Sequence, residues 1–238
     1  TYFLNKNVNL ENKYNYFSIA LNMNEILNSD ILQSLDKFLK IHSFDKIYLR
    51  VKPNLENKFD AKNLINFLNS LNYFTNIIDV MIVDLRKDIA QLRSNIRKSY
   101  KSLINKEEKK LDVFFSNQKE NLERIFKDWK KIYSEAILRG KKKIPDEHFE
   151  LLKKALIRNQ CIISICYEKN KAIGGMLFSV YDDYLFYASS VRVPEVESDK
   201  KRSIHHFLMW SSILELKKKY KFLELGAYYK INHKNDDL

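Results

Sequence analysis

The chain has 238 residues, 45% of them hydrophobic, enough for a substantial core as one large domain or two small ones. Lys and Arg outnumber Asp and Glu 42 to 30, and the net +12 favours anionic partners: nucleic acid, nucleotide-sugars or anionic lipid surfaces. There is no signal peptide and no apolar run of membrane-spanning length, so the reading is of a cytoplasmic protein without a transmembrane segment.

The predicted elements begin with a strand at Tyr14–Ala20 and a helix at Asp30–Ile41 with Ile31, Leu32, Leu35, Phe38 and Leu39 on one side. A short strand at Lys46–Val51 is closed by Pro53. Asp60 offers an N-cap to a helix over Ala61–Leu71, and Phe74–Leu85 is rich in β-branched residues. Asp84–Lys110 reads as a basic helix. From Arg86 to Lys110 there are nine Lys or Arg against three Asp or Glu, half of the chain's net charge. At 100° per residue Arg86, Arg93, Arg97 and Lys101 form one narrow cationic stripe, while Ile89, Leu92, Ile96, Tyr100 and Leu103 form an adjoining face to bury.

A strand follows at Leu111–Phe115, then a long helix, Gln118–Arg139, directing Leu122, Ile125, Phe126, Trp129, Ile132 and Tyr133 inward and stopping at Gly140. Another helix runs from Pro145–Asp146 to Asn159. Three strands, Cys161–Tyr167, Ala172–Tyr181 and Tyr184–Val191, are separated by Lys169–Lys171 and by Asp182–Asp183, the pattern of an antiparallel meander. A helix over Arg202–Tyr220 and a strand at Phe222–Leu225 complete the series. Cys161 and Cys166, five apart on one strand, point to opposite faces and cannot bridge each other; they read as small buried hydrophobes in a reducing compartment. The start at Thr1 and the polar end at Leu238 read as a fragment of a longer product.

Four pieces kept in order carry a resemblance: Leu92–Ser99, Ile173–Leu177, Tyr187–Ser190, and Phe207–Trp210 followed by Phe222–Ala227. The succession resembles the FemAB family of peptidoglycan-bridge aminoacyltransferases and FemAB-like proteins of bacterial polysaccharide loci, within the GNAT acyltransferase superfamily. Glu224-Leu225-Gly226-Ala227 departs from the family's usual Asp and second Gly. The resemblance covers Leu85–Ala227, more loosely the first half. It implies an α+β fold of two GNAT-like mixed-sheet domains joined by the basic helix, residues 1–110 and 111–238, the second truncated at its C-terminus.

The resemblance implies an acyl or aminoacyl transferase acting on an amino group of a nucleotide- or lipid-linked cell-envelope precursor, with peripheral contact at the inner membrane face. Arg93, Arg97, Lys98 and Lys101 would clamp the acceptor's phosphates, and Tyr187, Ser189, Ser190 and Trp210 would line its cleft. Glu224 is the candidate general base. No resident cofactor is implied; the donor would be aminoacyl-tRNA as co-substrate. A CoA-type donor calls for a glycine-containing loop at a helix N-terminus, and Val191–Ser203 contains no glycine and two glutamates. Two alternatives stand beside this reading: an acyl-CoA-dependent N-acyltransferase on a surface-polysaccharide sugar, and a non-catalytic protein binding RNA or an anionic surface. Adjacent His205 and His206 diverge by 100° on a helix and cannot form an i, i+4 metal pair, so no metal is expected.

Overall fold

The computed structural model describes residues 16–21, 30, 33–34, 37, 46–51, 66, 69–70, 80–141, 144–197 and 203–227. The chain divides into two compact units, Thr1–Ile78 and Asp79–Leu238. In the first, β1 (Tyr16–Leu21) pairs in parallel with β2 (Lys46–Val51), Tyr16 opposite Lys46 and Leu21 opposite Val51. Asp30, Gln33, Ser34 and Lys37 are helical, as are Asn66, Asn69 and Ser70, at the two places where helical periodicity was found. The predicted strand segment Phe74–Asp79 lies outside the described residues.

The second unit begins with β3 (Val80–Asp84). The basic run that follows is not one helix. It forms α1 (Ile89–Ser94) and α2 (Lys98–Glu108), broken at Asn95–Arg97. Asp88 caps α1 by accepting from the Gln91 amide at 2.7 Å, and the Ser94 hydroxyl turns back onto the Gln91 carbonyl, competing with continuation of the helix. The predicted cationic stripe is therefore dispersed. Arg86 sits in the turn before α1, its guanidinium paired through two nitrogens with Asp84, whose carboxyl it holds below the usual carboxylate range.

Next come β4 (Asp112–Phe115), a turn of 3-10 helix (Lys119–Asn121), α3 (Leu122–Arg139) and α4 (Asp146–Ile157). The meander is as the turn residues indicate: β5 (Cys161–Glu168), β6 (Lys171–Tyr181) and β7 (Tyr184–Arg192) are antiparallel neighbours. Lys169 and Asn170 both take positive φ, 48° and 66°, the backbone of a tight hairpin whose twist matches the strands. A short helix α5 (Pro194–Glu197), then α6 (Ile204–Leu216), lead to β8 (Phe222–Ala227). The sheet order is β3-β8-β7-β6-β5-β4, mixed because β7 and β8 are parallel. A parallel pair needs a crossover, and α6 supplies it.

The compact division falls before β3 rather than after Lys110, because β3 pairs with β8 and α2 packs on α6. Successive glycines show how the sheet is covered. A Cβ on Gly175 would meet Trp129 of α3, and one on Gly174 would meet Ile204 of α6. Successive strand residues face opposite ways, so α3 covers one face and α6 the other. Both faces of β5 are buried, Cys161 and Cys166 included, and the Cys161 thiol is pushed up to about 12 by burial. The helix α6 is buried on nearly every side, since α2 closes over its outer surface.

Candidate functional site

The hydrogen-bonded pairing of β7 with β8 is short. It runs Tyr184–Phe222, Leu185–Leu223 and Phe186–Glu224, and then the two strands part while each stays paired to its outer neighbour. At that point both strands carry an extra residue. Leu177 opposes Ser189 and Phe178 opposes Tyr187, so Ala188 is a bulge in β7; Met81 opposes Gly226 and Ile82 opposes Glu224, so Leu225 is a bulge in β8. A bulge bends and over-twists its strand, which opens a gap between two parallel neighbours. Gly226 sits on the lip with φ of 111°, a backbone that suits glycine.

The bulge also decides which side chains face which layer. Tyr187, Ser190 and Arg192 fall on the α6 face, opposite Phe178, Met176 and Gly174, whereas Ser189, opposite Leu177, falls on the α3 face with Gly175. On the α6 face a run of rings joins three elements. Tyr100 of α2 stacks on His206 at 4.0 Å, His206 meets His205 edge-on, and His205 meets Tyr187 edge-on at 6.0 Å. Ser203 at the start of α6 hydrogen-bonds the Nδ1 of His206 at 2.5 Å. Burial holds His205 and His206 below the usual imidazole range, and the charge of Arg192 adds to it for both, so these rings favour the neutral form. The α3 helix reaches the end of β7, where Arg139 donates to the Arg192 carbonyl at 3.2 Å.

Arg93 is half-buried, with its guanidinium 4.9 Å from the centre of the Trp210 ring and bonded to Asn105 of α2. It ties α1, α2 and α6 together, and its Nη1 is buried without a hydrogen-bond partner. Lys101 donates to the Ser94 carbonyl at 3.1 Å and closes the α1–α2 junction. Arg97, in the N-cap position of α2, and Lys98 are exposed. Trp210, 5% exposed, is packed beneath Arg93.

Glu224 lies on the other side of the sheet. It is 2% exposed, shares a face with Tyr184 and Phe186, and accepts from the Tyr184 hydroxyl at 3.0 Å. Also on the α3 face, Trp129 is fully buried and its indole Nε1 has no hydrogen-bond partner, and neither has the buried hydroxyl of Ser189. The structure thus brings Arg93 and Trp210 together, places Tyr187 and Ser190 on the same face as them, and sets Ser189 and Glu224 on the opposite face. Tyr100, His205, His206, Arg192 and Trp129 were not among the residues singled out as a site. The adjacent histidines were the available signal for the ring cluster, and were weighed only as metal ligands. Among the described residues, no group of three or more His, Cys, Asp or Glu side chains is placed to hold a metal. No helix among them is long and apolar enough to cross a membrane.

The described residues of the second unit form an α+β fold: a mixed sheet with helices on both faces, a crossover helix and two parallel strands that part at paired bulges. By fold the chain is similar to FemX and to two structures of the lysylphosphatidylglycerol synthetase type. It superposes on FemX with a TM-score of 0.59 at 13% identity, over 94% of this chain and 74% of that one. L-PGS from Bacillus licheniformis gives 0.58 at 10% identity, over 94% and 65%. The C-terminal domain of a protein described as a lysylphosphatidylglycerol synthetase from Agrobacterium fabrum gives 0.55 at 12% identity, over 83% and 59%. The chain thus spans about three quarters of FemX and under two thirds of the other two. No protein-family model matches the sequence, and no curated protein matches it.

Proposed function

We propose that the chain is an acyltransferase that moves an aminoacyl group onto an amine of a nucleotide- or lipid-linked cell-envelope precursor. The observation that carries this reading is the parting of β7 and β8 between two bulges, in a fold shared with FemX and L-PGS. The unit Thr1–Ile78 is read as the companion GNAT-like unit. In the reaction the acceptor's amine nitrogen attacks the ester carbonyl carbon, a C–N bond forms, the C–O bond to the carrier breaks, and the proton passes to the departing oxygen. Positioning in the gap supplies most of the acceleration. Glu224, one residue before the bulge of β8, is the group assigned to relay that proton. Arg97 and Lys98, exposed where α1 meets α2, receive the acceptor's phosphate, with Arg93 and Lys101 holding the junction in place. The loop Val191–Ser203, without a glycine, argues against a CoA pyrophosphate cradled by main-chain amides.

The test is a transfer assay read by mass spectrometry. Purified protein is given mixed aminoacyl-tRNAs or acetyl-CoA, with UDP-linked muropeptides, nucleotide amino-sugars or lipid-linked muropeptides as acceptors. An aminoacyl increment on one acceptor, with none from acetyl-CoA, is the expected result. Acetyl transfer to an amino-sugar would replace this reading by an acyl-CoA-dependent enzyme. No transfer from any donor, with RNA binding that weakens steeply in salt, would replace it by a binding protein.

A further inference from the structure

Two buried hydrogen-bond donors near the parting of β7 and β8 have no partner, and both belong to one face of the sheet. Trp129 is fully buried on α3 and its Nε1–H is unsatisfied. The Ser189 hydroxyl on β7 is buried and unsatisfied as well. Ser189 opposes Leu177, which is two residues along β6 from Gly175, about 7 Å. A Cβ on Gly175 would lie 3.0 Å from Trp129 Cε3, so the indole rests directly on that stretch of β6. Buried polar groups are nearly always paired, and leaving one unpaired costs about 1–3 kcal/mol. Two such groups on one face of the sheet point to something that binds there.

The chemistry of the donors narrows what that is. An indole N–H can only donate, so the bound atom is an acceptor. The strand neighbours on this face are Ile163 and Ile165, both fully buried, and Val191, nearly so, with the buried Glu224 of β8 sharing the face, surroundings in which a further ionised carboxylate or phosphate would be costly. The fitting group is a neutral carbonyl. We propose that Trp129 Nε1–H and Ser189 Oγ–H form the donor pair that receives the carbonyl oxygen of the group being transferred, on the α3 face of the gap. The inference rests on the acyltransferase reading and names two positioning residues for it. It concerns how the carbonyl is held before bond formation, with its carbon presented at the gap.

The chain has two tryptophans, Trp129 and Trp210, so its indole N–H spectrum contains two signals. The probe is 3′-alanylamido-3′-deoxyadenosine, a stable aminoacyl-adenosine, titrated into the ¹⁵N-labelled full chain, with the signals assigned by Trp129→Phe and Trp210→Phe. At saturation the Trp129 indole proton is expected to move downfield. Trp129→Phe keeps a ring against Gly175 but removes the N–H, and should weaken the probe about three- to tenfold. Ser189→Ala should weaken it similarly and serves as the second variant should Trp129→Phe fold poorly. A probe that binds while the Trp129 signal stays still, or that binds both variants as well as wild type, overturns the inference alone and assigns the two donors to water. A wild-type protein that binds no aminoacyl-adenosine overturns the aminoacyl-transfer reading together with it.

Discussion

Gly175→Ala is the sharpest perturbation available in this sheet. The added methyl would lie 2.7 Å from Ile165 Cδ1, 3.0 Å from Trp129 Cε3 and 3.1 Å from the Ser164 carbonyl oxygen. One of these atoms is the end of a flexible side chain, but the other two are an indole ring fixed in the core and backbone. Turning Ile165 aside therefore cannot clear the space. Overpacking of this kind costs about 1–3 kcal/mol. The stiffer unfolded chain offsets about 0.4–1 kcal/mol of it. A net loss of about 1–2 kcal/mol is expected. Gly174→Ala is the control, its nearest atoms being the Val191 carbonyl oxygen at 3.2 Å and Ile204 Cγ2 at 3.4 Å, so it should cost less.

The mechanism can be isolated with Ile165→Val, which removes the atom that the new methyl strikes first. Alone it should cost about 1 kcal/mol, as buried Ile→Val changes do. Combined with Gly175→Ala it should recover part of the loss, a coupling of about 1 kcal/mol in the double-mutant cycle. Urea unfolding followed by tryptophan fluorescence is the assay, because Trp129 and Trp210 both belong to the unit Asp79–Leu238 and report on it alone. Strict additivity of the two substitutions, or a Gly174→Ala variant less stable than Gly175→Ala, would refute the account.

Arg93→Ala removes a guanidinium stacked on Trp210 and bonded to Asn105, so it should lower stability by about 1–2 kcal/mol and shift Trp210 emission. Exposed Arg97→Ala should stay within about 0.5 kcal/mol, and equal losses at the two sites would contradict the placement of Arg93. His148, His205 and His206 are each held below their ordinary value of 6.5 by burial. The unfolded chain therefore takes up protons on them at higher pH than the folded one. Their contribution is complete above pH 6.5 and is lost as pH falls through the lowered folded values. The urea midpoint should drop between pH 7 and pH 5, less so in His205→Gln; a flat or rising midpoint would contradict this.

The meander was legible because its turns, Lys169–Lys171 and Asp182–Asp183, are short polar stretches between apolar runs, and the long helix α3 because its inward residues keep a helical period to Gly140. The basic run was misjudged for a physical reason. A helical wheel assumes a continuous backbone, and the break at Asn95–Arg97 rests on Asp88 capping α1 and Ser94 bonding back to Gln91, local contacts that charge periodicity does not register. The cation at Arg93 was legible, but its stacking on Trp210 was not, because the two are brought together by α2 packing on α6.

The bulge at Ala188 matters most for chemistry, because it overrides the alternation on which any reading of β7 depends. In an unbroken strand Tyr187 and Ser189 would share a face, with Ser190 opposite. The extra residue instead sets Tyr187 and Ser190 toward α6 and Ser189 toward α3. On the proposed function, this divides the work between the two layers. The cations of α1 and α2 and the ring cluster Tyr100–His206–His205–Tyr187 lie on the α6 side, where an anionic acceptor would be received. The unsatisfied donors of Trp129 and Ser189 lie on the α3 side, where a carbonyl would be held. An amine must approach a carbonyl carbon from outside the plane of its substituents. Substrates entering from opposite faces of the sheet can meet that requirement only where the sheet is open, and the opening is the gap beyond Phe186 and Glu224.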